Sequence, residues 1–414
     1  MTAHLAEPLA ADLRYVPPPT VPLLTLHPSR MTAGRLAATA LAATRRDAVA
    51  QDLSARLRDW SGRASCVLTG SGRTALRLAL TVSGAAPGGE VVLSTFTCPA
   101  VADAVLATGA TPVFVDVDPV TGWPAYTSVP LTGRIVVLTN GLGLDEWATH
   151  TTAITQRGGR VVLDLAQAVP SPVVLRRYAT TGCPIVLSFG EGKPLGGIGG
   201  GALLTSTDAP EIGAPAGTGE PALRRAVGER IRQHAPAAVR AAVVRRQRRA
   251  PGWSTTKADH LADRPGAVPA TGIGDWQQAA AAVLLGSAER VRGAVTRLHD
   301  RVRDRVDGVL RTCVVVPATP DLGPTIDLLF HRRGDRLRFG RELAALGIPA
   351  TWNYYPLHRT PAYASTTDLP EVDRLWPHVL SVPKLPQPRL TADVLARALL
   401  AADRVTEGDR RAQD

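Results

Sequence analysis

Short apolar runs alternate with segments of helical spacing along most of this chain. Val49, Leu53, Leu57 and Trp60 recur every three or four positions, which predicts an amphipathic helix. Apolar strands are predicted in "SCVLTG", "EVVLSTFTC", "TPVFVDVDP", "RIVVLTN", "GRVVLDLAQA" and "CPIVLSFG", and "GGALLTS" predicts a strand that returns across the glycines before it. Strands of this kind, separated by helices, favour a mostly parallel α/β sheet covered on both faces.

A second pattern begins after the stretch at 250–274, which is rich in proline and glycine. Residues 274–310 predict one long helix, and shorter strands and a further helix follow it. We therefore expect an N-terminal arm (1–45), a large α/β domain (46–275), and a connecting helix with a small C-terminal α+β domain (276–414).

Polar residues and glycines follow five of the predicted strands. They are Gly70-Ser71-Gly72, Thr95-Phe96-Thr97, Asn140, Asp164 with Gln167, and Ser188. Because ligands of such sheets bind at the carboxyl ends of the strands, these positions predict a ligand crevice along one edge.

The composition is that of an ordinary globular protein, with 45% hydrophobic and 20% charged residues in 414. No apolar run reaches the ~18–20 residues of a bilayer span, and the first residues lack the basic head and apolar block of a signal peptide. We therefore expect a soluble cytoplasmic protein without a membrane partner. Four cysteines without a CxxC pair, and histidines without ligand spacing, predict no metal site.

The net charge of +11 comes almost entirely from arginine, since lysine occurs only at 193, 257 and 384. One interpretation of this positive charge is codon bias, because abundant alanine, arginine, glycine and proline are typical of a GC-rich genome. The alternative interpretation is a binding site for anions. The arginine-rich stretch 223–253 predicts a solvated helix face or a lid over an anionic ligand. It lacks the interleaved aromatic residues of a nucleic-acid surface, so we expect no nucleic-acid partner.

Lys193 stands among glycines in "SFGEGKPLGGIGGGALLT", directly after a predicted strand. A nucleotide P-loop needs glycine where Leu187 stands and serine or threonine where Pro194 stands, and Ile198 and Ala202 break a GxGxxG pattern. The remaining chemistry for such a lysine is a Schiff base with a cofactor.

Pyridoxal 5′-phosphate requires such a lysine, an acid that faces its ring nitrogen, and donors for its phosphate. Asp164 at a strand end supplies the acid, and Gln167 can hydrogen-bond the phenolic oxygen. The turn "GSGRT" before a helix, together with the hydroxyl of Ser188, supplies phosphate donors. We therefore predict pyridoxal 5′-phosphate as the cofactor.

The motifs "TGSGRTALRLAL", "STFTCPAVADAVLATGATPVFVDVDP", "VVLDLAQAVPS", "SFGEGKPLGGIGGGALLT" and "YYPLHRTPAY" occur in this order. Over roughly residues 45–400 the chain resembles the DegT/StrS-type sugar aminotransferases of fold-type I, which use pyridoxal phosphate. The resemblance implies a seven-stranded-type sheet and a homodimer with active sites at the subunit interface. It also implies amino transfer from glutamate or glutamine to a keto sugar or related carbonyl intermediate, as in natural-product biosynthesis.

The resemblance assigns roles to individual residues by motif. Lys193 matches the Schiff-base lysine, Asp164 the pyridinium partner, and Gln167 the phenolic-oxygen contact. Phosphate contacts fall on Ser188 and on the backbone of Gly72 and Arg73, and substrate contacts are expected from Tyr354, Tyr355 and His358.

Several positions depart from the family pattern. Cys98 and Asn140 are expected to face the cofactor where an aromatic residue and a histidine are common, and Ala270 and Gly272 replace an Asn-x-Arg. Three alternatives therefore stay open: a different pyridoxal-phosphate reaction (elimination, decarboxylation or cyclisation), a non-catalytic partner subunit, or a nucleic-acid-binding regulator with an aminotransferase-like domain. Lys193 argues against the family's dehydratases, which usually carry histidine there.

Overall fold

The structure is a computed structural model that describes residues 24, 30–169, 171–179, 181–207, 227, 265–319, 322–323, 325–351, 354–363 and 367–412. The predicted arginine-rich segment 223–253, except for residue 227, and most of the N-terminal arm lie outside these residues. In the described residues, no helix has the length and apolar character that crossing a bilayer requires.

The strands are β1 (Ser65–Thr69), β2 (Glu90–Ser94), β3 (Thr111–Val115), β4 (Ile135–Leu138), β5 (Arg160–Asp164), β6 (Ile185–Ser188), β7 (Gly201–Thr205), β8 (Cys313–Val315), β9 (Thr325–Phe330) and β10 (Val379–Pro383). The α-helices are α1 (Ala33–Ala43), α2 (Arg46–Ser61), α3 (Gly72–Val82), α4 (Pro99–Leu106), α5 (Glu146–Gln156), α6 (Pro172–Ala179), α7 (Asp275–Leu285), α8 (Ala288–Val306), α9 (Arg333–Ala345), α10 (Pro370–Leu375) and α11 (Ala392–Arg411).

The first seven strands form one sheet in the order β1-β7-β6-β5-β4-β2-β3. Strands β2 to β6 pair in parallel, and β7 lies antiparallel between β1 and β6. An antiparallel neighbour needs no crossover helix, so the chain returns directly from β6 to β7 through the glycine-rich loop. The α/β fold with a mostly parallel seven-stranded sheet is confirmed, as is the predicted return of β7.

Both faces of this sheet are covered by apolar cores. Successive side chains of a strand point to opposite faces, so neighbouring residues of one strand enter different cores. In β2, Val91 and Leu93 belong to one apolar core, which also contains Leu76 of α3, whereas Val92 belongs to a second core with Leu53 of α2. This double cover explains why the inner strands are continuous apolar runs without alternating polar positions.

A smaller antiparallel sheet follows in the order β10-β9-β8. Helix α9 packs on it through an edge-to-face contact between the rings of Phe330 and Phe339, whose centroids are 5.1 Å apart. Helix α11 packs against α8 and α9. The small domain predicted for the C-terminal part therefore has its own sheet, and the boundaries after 45 and 275 stay predictions.

The single long helix predicted over 274–310 is wrong, because α7 and α8 are separate helices that meet at Gly286 and Ser287. Glycine is a poor helix former, and the buried Ser287 hydroxyl donates to the Leu284 carbonyl at 2.9 Å. A local side-chain bond thus competes with the helix at the point where glycine weakens it.

Candidate active site

A pocket lies at the carboxyl edge of the large sheet, where the loops after β2, β4, β5 and β6 meet the start of α3. Nine residues for which the sequence predicted contacts with cofactor or substrate line it: Gly72, Arg73, Cys98, Asn140, Asp164, Gln167, Ser188, Lys193 and Tyr354. The strand register brings them together, since Leu138 pairs with Leu163 and Ser188 pairs with Gly201. Residues just beyond these pairs therefore leave the sheet side by side.

One end of the pocket is the N-terminus of helix α3. The Ser71 hydroxyl caps the helix by accepting from the Thr74 N–H at 3.1 Å, and Gly72 is the first helical residue. A Cβ on Gly72 would lie 2.7 Å from the Ser188 Cβ, so only glycine lets Ser188 approach this helix end. Backbone N–H groups, the helix dipole and the Ser188 hydroxyl together suit a phosphate group.

Gly72→Ala is expected to lower both the stability of the protein and its affinity for pyridoxal phosphate. The added carbon would crowd Ser188, and such overpacking costs about 1–3 kcal/mol. Gly34→Ala in α1 is the matched control, because no atom lies within 4 Å of the added carbon there. Thermal unfolding and cofactor titration of both variants check this, and equal effects of the two substitutions would contradict it.

Asp164 ends β5 and lies buried beside the pocket, where its Oδ1 accepts from the Ala166 N–H at 2.9 Å. Burial raises the pKa of Asp164, while the Ala166 bond and the charge of Lys193 act in the opposite direction. A further cation near this carboxylate would favour its ionised form. The protonated ring nitrogen of pyridoxal phosphate is a cation of this kind.

Lys193 projects from the loop that joins β6 to β7. Gly192, immediately before it, has φ of +77°, in the left-handed region that favours glycine. The Lys193 N–H donates to the Gly190 carbonyl at 3.2 Å, and the Lys193 carbonyl accepts from the Gly196 N–H at 2.8 Å. The glycines thus allow a tight loop that holds the lysine against the pocket.

Gln167 and Tyr354 meet in the pocket, where the Gln167 amide donates to the Tyr354 hydroxyl. Burial, together with the negative charges of Cys98, Asp164 and Asp327 in their ionised forms, raises the pKa of Tyr354. The hydroxyl therefore stays protonated near neutral pH. A phenolic oxygen bound here would share the Gln167 amide with Tyr354 or displace its hydroxyl.

Arg73 lines the pocket, but its side chain also forms an ion pair. Its Nη1 lies 3.4 Å from the buried Oδ2 of Asp103, which is 2% exposed. The Asp103 carboxylate also accepts from the Gly266 N–H at 2.7 Å and from the Tyr363 hydroxyl. The Arg73 guanidinium therefore joins α3 to α4, and the Asp103 carboxylate joins α4 to two distant segments, which the sequence did not indicate.

Two of the predicted substrate residues lie outside the pocket. Tyr355 is buried in the core, with its ring edge-to-face on Trp376 at a centroid distance of 4.9 Å. His358 is buried behind the end of β2, where its Nδ1 lies 2.9 Å from the Thr95 Oγ1 and its Nε2 lies 3.3 Å from the Asp373 Oδ1. The described contacts of both residues join parts of the fold, and Tyr354 is the member of this set that lines the pocket.

His358 is expected to make stability depend on pH. Burial lowers the pKa of His358, and Asp373 opposes this effect. The unfolded chain therefore binds a proton near its ordinary pKa of about 6.5 before the folded protein does, so stability falls as the pH falls through that value. Between about pH 7.5 and 5.5, urea unfolding should show a larger loss for the wild type than for His358→Asn. Parallel losses would contradict this, and all other titrating groups are common to both proteins.

Some pocket residues were missed in the sequence. Asp327 and Thr325 of β9 line the pocket from the small domain, and the Asp327 carboxylate accepts from the hydroxyls of Ser381 and Thr325. The one available signal was a carboxylate inside the apolar strand "TIDLLF". Whether this carboxylate faces the pocket depends on how the two domains pack against each other.

Comparison with solved structures identifies the class of fold. The PLP-form of Spr1654 from Streptococcus pneumoniae aligns over 93% of this chain and 99% of its own, with a TM-score of 0.67 and 15% identity. A PMP-form of the same protein aligns with a TM-score of 0.66. The chain therefore shares its fold with these two structures.

Sequence comparison finds a match to the same family as the motifs. Residues 43–212 match the model of the DegT/DnrJ/EryC1/StrS aminotransferase family, which is the family that the motifs resemble. The cofactor predicted from the sequence, pyridoxal phosphate, is the cofactor of this family. The buried Asp164, the glycine cradle at α3 and Lys193 fit that group.

Two curated relatives illustrate the similarity. The UDP-N-acetyl-3-dehydro-alpha-D-glucosamine 3-aminotransferase of Acidithiobacillus ferrooxidans is 37% identical over 164 residues, which cover 38% of this chain and 44% of that protein. The dTDP-4-dehydro-2,3,6-trideoxy-D-glucose 4-aminotransferase of Saccharopolyspora spinosa is 26% identical over 355 residues, which cover 80% and 84%. The chain spans 39% to 45% of the length of the first three curated relatives that it matches.

Proposed function

We propose that this chain is a pyridoxal-phosphate-dependent aminotransferase. It moves an amino group from an amino acid, glutamate or glutamine, to a keto sugar or related carbonyl intermediate of natural-product biosynthesis. The observation that carries the proposal is the single pocket that unites Lys193, Asp164, Gln167 and the cradle of Gly72 and Ser188.

Pyridoxal phosphate, when bound, supplies an aldehyde that links to amines and a ring that withdraws electrons. Lys193 Nζ would hold the cofactor covalently, and the lysine amine, when it is not bonded to the cofactor, would carry a proton to and from the reacting carbon. Lys193 and Asp164 both line the pocket, and the charge of Lys193 acts against the effect of burial on the pKa of Asp164.

The other residues of the pocket would bind the cofactor and orient it. Asp164 would keep the ring nitrogen protonated, because an ionised carboxylate in a buried site favours a cation next to it. Gly72, Arg73 and Ser188 would hold the phosphate with two backbone N–H groups and one hydroxyl. Cys98, Asn140, Gln167 and Tyr354 also line the pocket and would contact the remainder of the ring and the reacting groups.

The acceptor class is supported by the relatives. The two curated names describe amino transfer to dehydro sugars carried on UDP or dTDP. We propose an acceptor of the same general kind for this chain, together with a cytoplasmic location and a homodimer with active sites at the subunit interface. Size-exclusion chromatography with light scattering tests the dimer.

The reaction is tested with purified protein, pyridoxal phosphate and one amino donor at a time. Glutamate or glutamine should shift the visible absorbance of the bound cofactor to that of pyridoxamine phosphate, and the matching keto acid should reverse the shift. A cofactor that stays unchanged across a panel of amino acids would contradict transamination.

A second candidate keeps the cofactor but catalyses a different reaction. Ala270 and Gly272 favour it, since many family members carry Asn-x-Arg at these positions. Mass spectrometry of products from candidate sugars separates the two, because elimination, decarboxylation and cyclisation each change the substrate mass differently from amino transfer. A protein that binds no cofactor would instead favour the non-catalytic partner subunit.

A further inference from the structure

The loop after β4 forms one wall of the pocket, from Thr139 to Gly143. Two of its residues that are not glycine have left-handed backbones: Asn140 with φ of 54° and Leu142 with φ of 56°. A leucine in this region is unfavourable, so the surrounding structure must hold the loop in place.

The group that holds it is the carboxylate of Glu146, the first residue of α5, which is fully buried. Its Oε1 accepts from the Gly141 N–H at 2.8 Å, and its Oε2 accepts from the Thr139 N–H at 3.1 Å. The Asn140 N–H and the Tyr126 hydroxyl, the latter at 2.7 Å, also donate to this carboxylate. Three consecutive backbone N–H groups thus converge on one side chain.

Asn140 lies between Thr139 and Gly141, whose N–H groups bind Glu146, and its side chain lines the pocket. Asn140 is 3% exposed, and neither its Oδ1 nor its Nδ2 has a hydrogen-bond partner among the described residues. A buried amide without partners is unfavourable, and a ligand with polar groups would satisfy it. The backbone clamp fixes where this amide points.

We propose that Glu146 is a positioning residue, which clamps the backbone on both sides of Asn140 and so presents the Asn140 amide to the polar ligand of the pocket. The inference rests on the proposed function for the nature of that ligand. It assigns a specific purpose to a buried carboxylate that does not itself line the pocket but binds the backbone of residues that do.

A double-mutant cycle on the full-length apo-protein, with pyridoxal phosphate as the probe, tests this role. In the native background, Glu146→Gln is expected to weaken pyridoxal phosphate binding about 10- to 100-fold, since the Gln amide presents one acceptor in place of two. In the Asn140→Ala background, the same substitution is expected to change binding less than about threefold, because the amide that it positions is already gone.

Tyr126→Phe is the matched control. It removes one hydrogen bond from the same carboxylate but leaves the backbone clamp, so it should lower the melting temperature while pyridoxal phosphate affinity stays within about twofold. If Glu146→Gln does not fold, Glu146→Asp keeps the charge and is too short to reach both N–H groups, and the same cycle is run with it.

Equal losses of affinity in both backgrounds would overturn the proposal, and so would a lower melting temperature with unchanged affinity. A result that overturns the role of Glu146 is distinct from one that overturns the proposed function. A wild type that binds pyridoxal phosphate but transfers no amino group contradicts the proposed function, and the cycle on binding still decides the role of Glu146.

Discussion

Lys193→Ala is expected to abolish covalent attachment of pyridoxal phosphate and to lower the rate of amino transfer by about 10²–10⁴-fold or more. The lysine carries both proposed tasks, since Nζ links to the cofactor and later moves the proton. Its loop turns at Gly190, Gly192 and Gly196. No other lysine lines the described pocket, so no second amine there can take its place.

The measurement is a visible absorption spectrum before and after borohydride reduction, followed by peptide mass analysis. The wild type should show a reduced cofactor on the peptide that contains Lys193, and the variant should show none. Lys193→Arg is the matched control, because it keeps a cation beside Asp164 but cannot form the covalent link. A variant Lys193→Ala that retains a borohydride-stable cofactor on another residue would contradict the assignment.

Asp164→Asn is expected to lower the rate of amino transfer by about 10²–10³-fold while the fold is retained. The substitution removes the negative charge that we propose keeps the ring nitrogen protonated, and it preserves the size of the side chain and its acceptor for the Ala166 N–H. Because burial raises the pKa of Asp164, the neutral amide should not destabilise the apo-protein. The loss should therefore fall mainly on the rate and much less on folding.

Single-turnover kinetics with glutamate and thermal unfolding of the apo-protein check this pair of effects. Asp118→Asn is the control: this exposed aspartate also follows a strand, but its carboxylate accepts only from nearby residues such as Thr121. A variant Asp164→Asn with the wild-type rate would show that Asp164 does not face the cofactor ring.

The strands and the strand-end residues could be predicted because they depend on local pattern and on one rule of topology. Apolar runs in "RIVVLTN" and "GRVVLDLAQA" predict buried parallel strands, and parallel strands place their carboxyl ends at one edge. Asn140 and Asp164 therefore come together in the pocket whatever the details of packing, as do Ser188 and Lys193 one strand further along.

The positions near the C-terminus could not be placed in the same way. "NYYPLH" presents three candidates within five residues, yet Tyr354 lines the pocket, Tyr355 packs on Trp376 and His358 binds Thr95. Which side of an irregular segment faces the pocket depends on how the small domain sits against the large sheet, and no periodicity encodes that.

The sequence by itself thus determined the order of elements, the parallel sheet and the set of polar strand ends, because each rests on short-range pattern. Only the tertiary structure decided which groups meet: Arg73 with Asp103, Asp327 with the pocket, and Glu146 with the loop that carries Asn140. These pairings arise from buried charges that require partners, and the chain supplies those partners through packing between segments that are far apart in sequence or through loops of unusual backbone conformation.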